Sequence, residues 1–279
     1  MFDPTMVRLS LITATYNASK YLPCCFANVA AQKLPIEHIV IDGDSTDGTK
    51  SVIQQHSQQI SKYISEPDRG LYDALNKGIS MASGEIIGIL NADDYYSNNS
   101  VLRQVLEVFD NPDIDACYGD LLYINADSTS GHAEATTKST LNTLTKIEIK
   151  RFWRSGFYSP KSFYWGWMPP HPTFFVRRSI YEKFGAFRLD MGTAADYELM
   201  LRLLLKHRIN CHYIPKILVY MRTGGLSNVT VVNRFHANRM DRKAWSANNL
   251  KPYPWTIAFK VLRKVPQYLL RPTRSLLFK

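Results

Sequence analysis

Short apolar runs closed by polar turns dominate the first half of the chain. Val7 to Thr13 (VRLSLIT), His38 to Asp42 (HIVID), Tyr63 to Ser65 and Gly84 to Leu90 read as strands. The segments between them carry the wider spacing of helices: from beyond Asn17 to about Gln32, from Lys50 to Gln59, and from Leu71 to Ala82. On the last of these, Leu71, Ala74, Leu75 and Ile79 recur on one face, with Asp73, Asn76 and Lys77 on others. Ser100 to Phe109 reads as a further helix and Ile114 to Ile124 as a strand. Alternation of this kind predicts a mostly parallel sheet covered by helices on both faces.

The second half is less regular. Asp127 to Gly131 reads as a turn, followed by a Thr-rich polar stretch. Between Phe152 and Phe175 ten of 24 residues are aromatic without a clear period, which predicts that some line a cleft or a membrane-facing surface while others pack the core. Trp167 falls in this run as an acceptor-side or orienting residue. Pro169, Pro170 and Pro172 fix the backbone around His171 and would hold that imidazole in place. Arg188 to Ala195 reads as a loop, Asp196 to Lys206 as a buried helix, and Cys211 to Ile214 and Ile217 to Met221 as two strands. The glycine pair after Arg222 and Thr223 suits a loop that closes over a ligand. Near the end, a helix over Trp255 to Leu270 would gather Trp255, Ala258, Phe259, Leu262, Val265 and Leu269 on one face and Lys260, Arg263 and Lys264 on another, with Pro266 interrupting it.

Charge sharpens that last reading. Nine of the 34 cationic residues follow Asp241 with no acidic residue among them, so the remaining 25 nearly balance the 24 acids. The net charge of +10 therefore belongs to the tail. A near-neutral body without a recognisable nucleic-acid module argues against a nucleic-acid binder. With 45% hydrophobic residues the chain can bury a large core. The four cysteines, Cys24, Cys25, Cys117 and Cys211, have neither disulfide-framework nor zinc spacing, and a reducing compartment is expected. No secretory leader pattern precedes the first strand, and no apolar run is long enough to span a bilayer.

Candidate chemistry concentrates after the strand that ends at Leu90. Asn91-Ala92-Asp93-Asp94 supplies adjacent hard oxygen donors, suited to Mg²⁺ or Mn²⁺ whose other ligands come from water and a substrate diphosphate; a plain polar turn is the alternative. Asp42, at another strand end, could accept from a nucleobase or ribose. The following loop is not an EF-hand, because Asp47 and Ile53 stand where glycine and glutamate belong. There is no GxxxxGK[ST] loop, and no GxGxxG follows a strand.

Seven ordered segments, LITATYN (Leu11 to Asn17), IVIDGDSTDGT (Ile39 to Thr49), SEPDRGLYDALNKGI (Ser65 to Ile79), SGEIIGILNADDYY (Ser83 to Tyr96), PHPTFFVRR (Pro170 to Arg178), TAADYELMLRLL (Thr193 to Leu204) and GGLS (Gly224 to Ser227), resemble family 2 glycosyltransferases. The resemblance covers roughly residues 7 to 228. It implies a GT-A, Rossmann-like α/β fold with a mostly parallel sheet, and inverting transfer from a nucleotide-diphosphate sugar by a hexosyltransferase-type enzyme. It places the nucleotide sugar against Thr13, Thr15, Asn17, Asp42, Asp68, Asn91, Asp93 and Arg222. The metal falls to Asp93 and Asp94, with the direct ligand left open because Asn91 stands where an aspartate is common. Ala195-Asp196 replaces a frequent acidic pair, leaving Asp196 as the general base. Gly43 likewise stands where a second acid is frequent.

The expected organisation is a glycosyltransferase domain over 1–230, with its nucleotide part over about 1–124 and its acceptor part over about 125–230, and a basic amphipathic tail over 231–279. The resemblance further implies a glycan or lipid-linked glycan acceptor, as in bacterial surface-polysaccharide and lipopolysaccharide synthesis. With the tail on anionic lipid, the protein would sit peripherally on the cytoplasmic face of the cell membrane. A catalytically silent nucleotide-sugar binding protein is the rival reading.

Overall fold

The computed structural model describes residues 7–125, 148–223 and 231–269. The strands are β1 (Leu9–Thr15), β2 (Glu37–Asp42), β3 (Lys62–Ser65), β4 (Ile86–Ile89), β5 (Tyr95–Tyr96), β6 (Ala116–Ile124), β7 (Ile149–Trp153), β8 (Phe175–Arg177) and β9 (Cys211–Arg222). They form one sheet in the order β3-β2-β1-β4-β8-β6-β9-β5, with β7 paired to β6. All residues of β1, β2 and β4 are buried, as expected of strands covered on both faces.

Direction follows from the pairings. β1, β2, β3 and β4 are mutually parallel. Because β8 is antiparallel to both β4 and β6, β6 runs with β4, and β9 is parallel to β6. Six strands therefore point one way, and β5, β7 and β8 oppose them. The carboxyl ends of the six share one rim, and order reverses beside β1 and β4, the arrangement that opens a ligand crevice in α/β sheets.

Helices Leu22–Ala30, Thr49–Gln55, Leu71–Met81 and Val101–Val108 lie between the early strands. They are shorter than the sequence pattern predicts at several ends, and Ser57–Gln59 forms a separate 3-10 turn. Gly78 lets the helix Leu71–Met81 close onto β1, since a Cβ there would stand 2.4 Å from Ile12. Asn76, predicted away from the packing face, ties this helix to a distant loop by exchanging hydrogen bonds with the Phe187 backbone at 2.8 and 2.9 Å.

Other elements depart from the pattern. The two strands expected over 211–221 are one strand, β9, whose register against β6 shifts between Tyr118 and Leu121. Pro215 lacks an N–H, and a register shift accommodates that gap without ending the strand. The buried helix is α over Ala195–Met200 and π over Leu201–Lys206, preceded by a 3-10 segment, Leu189–Ala194. The last helix is divided into Thr256–Leu262 and Lys264–Leu269. Pro266 has no N–H for the Leu262 carbonyl, so the break comes before the proline.

Residues 231–247, assigned by sequence to the tail, form a helix that docks on the body. Trp245 is wholly buried in the larger core cluster and donates to the Tyr197 hydroxyl at 2.9 Å. The turn expected over 127–131, the loop 224–228 and residues 270–279 lie outside the described residues.

Candidate active site

Four loops leave the parallel strands at the shared rim. After β1, Asn17 takes a left-handed backbone (φ 49°), and its Oδ1 accepts from the amides of Thr46 and Asp47 at 2.9 and 3.3 Å. Asn17 N donates to Ser45 Oγ at 2.8 Å, so the loops after β1 and β2 brace each other. Asp42 is fully buried and accepts from Ser45 N at 3.1 Å, Ser45 Oγ at 2.5 Å and Ser65 Oγ at 2.6 Å. These three bonds turn it toward the chain and hold β2, β3 and the following loop in register. Thr13 is likewise interior, with its hydroxyl 3.0 Å from His38 Nε2. Thr15 Oγ1, at the strand end, is buried without a hydrogen-bond partner.

Gly43 explains the missing second acid. A Cβ at that position would stand 2.6 Å from Asp68 Oδ2 and 3.4 Å from the Tyr16 ring. The bare backbone thus leaves room beside Gly43 for the Asp68 carboxylate and the exposed Tyr16 ring. Asp68 Oδ1 accepts from Gly70 N at 2.8 Å. Tyr16, 62% exposed beside Gly43, was not singled out from sequence, because a lone aromatic in a polar loop carries no pattern.

The acidic pair separates into two environments. Asp94 has no exposed surface; its Oδ2 accepts from Asn91 Nδ2 at 2.8 Å while Oδ1 is buried without a partner. Burial, and Asp93 beside it, push its carboxyl well above the usual carboxylate range. Asp93 is half-buried and raised by burial, which Arg222 opposes. Arg222, at the end of β9, donates to the Asp93 carbonyl at 2.6 Å and lies over the rings of Tyr21 (5.0 Å) and Tyr95 (5.2 Å).

Asn91 Oδ1 is also buried and unpaired. Orphaned oxygen acceptors beside two carboxylates fit a hard divalent cation. No group of three His, Cys, Asp or Glu suited to a metal occurs among the described residues, so such an ion would need further oxygens from a ligand or water.

Asp196, half-buried, opens the helix Ala195–Met200 and accepts from Tyr197 N at 2.7 Å. The Tyr72 phenol is raised by its burial and then by the Asp196 charge. Burial lowers His171, and Asp196 opposes that shift; His171 Nε2 is buried without a hydrogen-bond partner. Phe187 links these groups, 5.2 Å from the Tyr72 ring and 5.3 Å edge-on from His171. Tyr123 lies near the carboxyl end of β6. Its phenol is raised by burial, lowered by Arg151, and raised by both Asp94 and Asp196.

Trp167 is elsewhere. Its Nε1 donates to the Ser155 carbonyl at 2.8 Å, and it packs against Tyr118, Tyr158 and Phe163 in the core. A satisfied indole in that cluster supports the fold, not an acceptor. Tyr72 and Tyr123 were missed from sequence because both read as ordinary members of apolar elements.

The family model described as Glycosyl transferase family 2 matches residues 10–185. An uncharacterized glycosyltransferase of Mycobacterium tuberculosis (strain CDC 1551 / Oshkosh) is 30% identical over 203 residues, 71% of this chain and 69% of that protein. The fold is similar to that of S. aureus TarS 1–349 in complex with UDP-GlcNAc (TM-score 0.60, 17% identity, 94% of this chain and 79% of that one). It is also similar to the mannosyltransferase PcManGT from Pyrobaculum calidifontis in complex with GDP-Man and Mn²⁺ (TM-score 0.59, 16% identity, 97% and 78%).

Proposed function

The chain belongs to glycosyl transferase family 2 and is a glycosyltransferase, and from that premise we propose that it transfers a sugar, with inversion, from a nucleotide-diphosphate sugar to a hydroxyl of a glycan or lipid-linked glycan. What supports this reading is that the Asp93 carbonyl accepts a hydrogen bond from Arg222, which pairs with Ile124 at the end of β6, while the neighbouring Tyr123 phenol is raised by both Asp94 and Asp196. Nucleotide-sugar complexes of similarly folded proteins support the donor class.

The nucleoside would lie across Thr15, Tyr16, Gly43 and Asp68, with Asn17 and Asp42 fixing the loops beneath it. Asp93 and Asp94 would hold Mg²⁺ or Mn²⁺, which when bound supplies positive charge against the leaving diphosphate. Arg222 adds a fixed cation on the same side.

Asp196 takes the proton from the acceptor hydroxyl as its oxygen attacks the anomeric carbon opposite the departing diphosphate, inverting configuration. Neutral His171, with its free Nε2, orients that hydroxyl. A side chain that removes a proton only in the transition state contributes to kcat while leaving donor affinity unchanged. Asp196→Asn should therefore cut transfer by about 10²–10⁴-fold and keep nucleotide binding. Ordinary turnover by that variant would exclude Asp196 as the base. The rival, a silent binder, predicts no transfer by the unaltered chain from any nucleotide sugar in a panel.

The end of the chain favours an amphiphilic acceptor and a peripheral position on the cytoplasmic membrane face. Leu262, Val265 and Leu269 are 56%, 52% and 75% exposed, with Arg263 and Lys264 exposed among them. No described helix is long and apolar enough to cross a membrane. Two short consecutive helices carrying both features suit the interface of an anionic bilayer. Co-sedimentation with anionic liposomes should fall on truncation at residue 250, and indifference to that truncation would remove the membrane assignment.

A further inference from the structure

Arg151 has a role that the donor and base chemistry leaves unexplained. It sits in β7 opposite Tyr123, which pairs in turn with Met221 of β9, so the three residues form a row across the sheet on one face. Arg222, one position further along, pairs with Ile124 and faces the other side. The Arg151 side chain therefore lies near the same rim as the acids, on the flank away from the nucleotide loops of β1, β2 and β3.

Its surroundings are unusual for a buried cation. Arg151 is 8% exposed, and its guanidinium lies over three rings: Tyr123 at 4.7 Å, Trp153 at 4.9 Å and Tyr268 at 5.6 Å. Nε donates to Gln267 Oε1 at 2.7 Å, a neutral acceptor. Nη2 is buried with no hydrogen-bond partner, and no carboxylate among the described residues forms an ion pair with it. Aromatic faces offset part of the charge, but an N–H buried without an acceptor is unfavourable and suits an incoming anion. A planar guanidinium matches phosphate oxygens through paired N–H groups.

The cover is the short helix Lys264–Leu269. Gln267 and one face of the Tyr268 ring meet Arg151, while the rest of that ring, 53% exposed, joins Val265 and Leu269 in an exposed apolar surface. An amphiphile resting its apolar part on that exposed face would carry its head group to the guanidinium.

The geometry points to Arg151 as a phosphate-binding subsite for the acceptor, with Gln267 as the neutral occupant that a phosphate oxygen displaces. Only the word acceptor rests on the transfer reaction proposed above; the phosphate site itself can be measured without turnover. The probe is inorganic pyrophosphate, titrated calorimetrically into the full chain in EDTA, so that no divalent ion recruits it to Asp93 and Asp94. Unaltered protein should bind it, and Arg151→Gln should weaken binding at least tenfold. Gln267→Glu places a carboxylate against the guanidinium and should weaken binding equally while preserving the thermal melt. This second variant keeps the test valid if Arg151→Gln folds poorly.

UDP with Mn²⁺ separates the two possible sources of phosphate. Its affinity should stay within twofold in Gln267→Glu, because the donor diphosphate lies at Asp93, Asp94 and Arg222. Pyrophosphate binding that is absent from the unaltered chain, or unchanged in Gln267→Glu, overturns the subsite. A parallel loss of UDP affinity overturns its assignment to the acceptor. Failure of UDP to bind the unaltered chain would strike the donor reading and leave the pyrophosphate result standing.

Discussion

Asp94→Asn separates stability from function most sharply. The Asp94 carboxylate has no exposed surface, takes one hydrogen bond from Asn91, and leaves its second oxygen unpaired. Burial and the adjacent Asp93 oppose ionisation of Asp94, and Arg222, the nearby cation that both acids feel, offsets this only in part. An amide of nearly the same shape removes the ionic desolvation but keeps one unpaired polar group. The expected net gain is about 1–3 kcal/mol, or a rise in melting temperature of about 2–12 °C at the usual 2–4 °C per kcal/mol for chains near this size. Ligand should act in the opposite sense. UDP and Mn²⁺ at a hundred times the dissociation constant stabilise the unaltered protein by about 2.7 kcal/mol, whereas a hundredfold weaker variant gains only about 0.4 kcal/mol. Differential scanning fluorimetry with and without UDP–Mn²⁺ reads both numbers. A ligand-free variant that melts lower than the unaltered chain, or one stabilised equally by UDP–Mn²⁺, would refute the reasoning.

Further expectations follow from the fold. Gly43→Ala puts a methyl group 2.6 Å from Asp68 Oδ2; nucleotide affinity should fall about tenfold, a change of about 1.4 kcal/mol, with little change in melting, and calorimetric titration with UDP checks it. His38 is buried and held down to about 4 from 6.5 by burial. Between those values the unfolded chain binds the proton and the folded chain does not, so stability is lost as pH falls from about 6.5 to 4, by up to about 3 kcal/mol. Urea unfolding at pH 7 and 4.5 should show that loss, and His38→Gln should reduce it. Trp245→Ala should cost about 3–5 kcal/mol, because the indole is wholly buried and bonds Tyr197; a loss below about 1 kcal/mol in urea would mean that this helix is an appendage.

The apolar runs of β1, β2 and β4 are legible because strands buried on both faces need nearly continuous apolar sequence, and their order places the rim. The two-residue β5 leaves no such trace: Tyr95–Tyr96 belongs to the sheet only through its pairing with Tyr220 and Val219. Asp93 and Asp94 are visible as neighbours, yet their unequal burial arises from the turn that follows β4. Trp245 is hidden differently. Its helix mixes scattered apolar residues with three arginines and a lysine without a clean apolar face, so it reads as a tail although Trp245 closes the core. Trp167 errs the opposite way, since an aromatic-rich stretch invites a binding role while three neighbouring rings and the Ser155 carbonyl already engage that indole. Arg151 and Tyr123 become meaningful only when β7 is laid against β6, a long-range pairing that no local spacing encodes.

The run of four parallel strands from β3 to β4 carries all four loops assigned to the donor except for Arg222, whereas Arg151, His171, Asp196 and the exposed terminal helix are borne by chain beyond residue 148. This partition makes the molecule a natural subject for chimeras. Grafting the later segment from a relative with a different alcohol preference should redirect the product without retraining sugar choice, provided the graft keeps the β4–β8 seam, where Gly88 admits Phe175 at a distance no larger residue would allow.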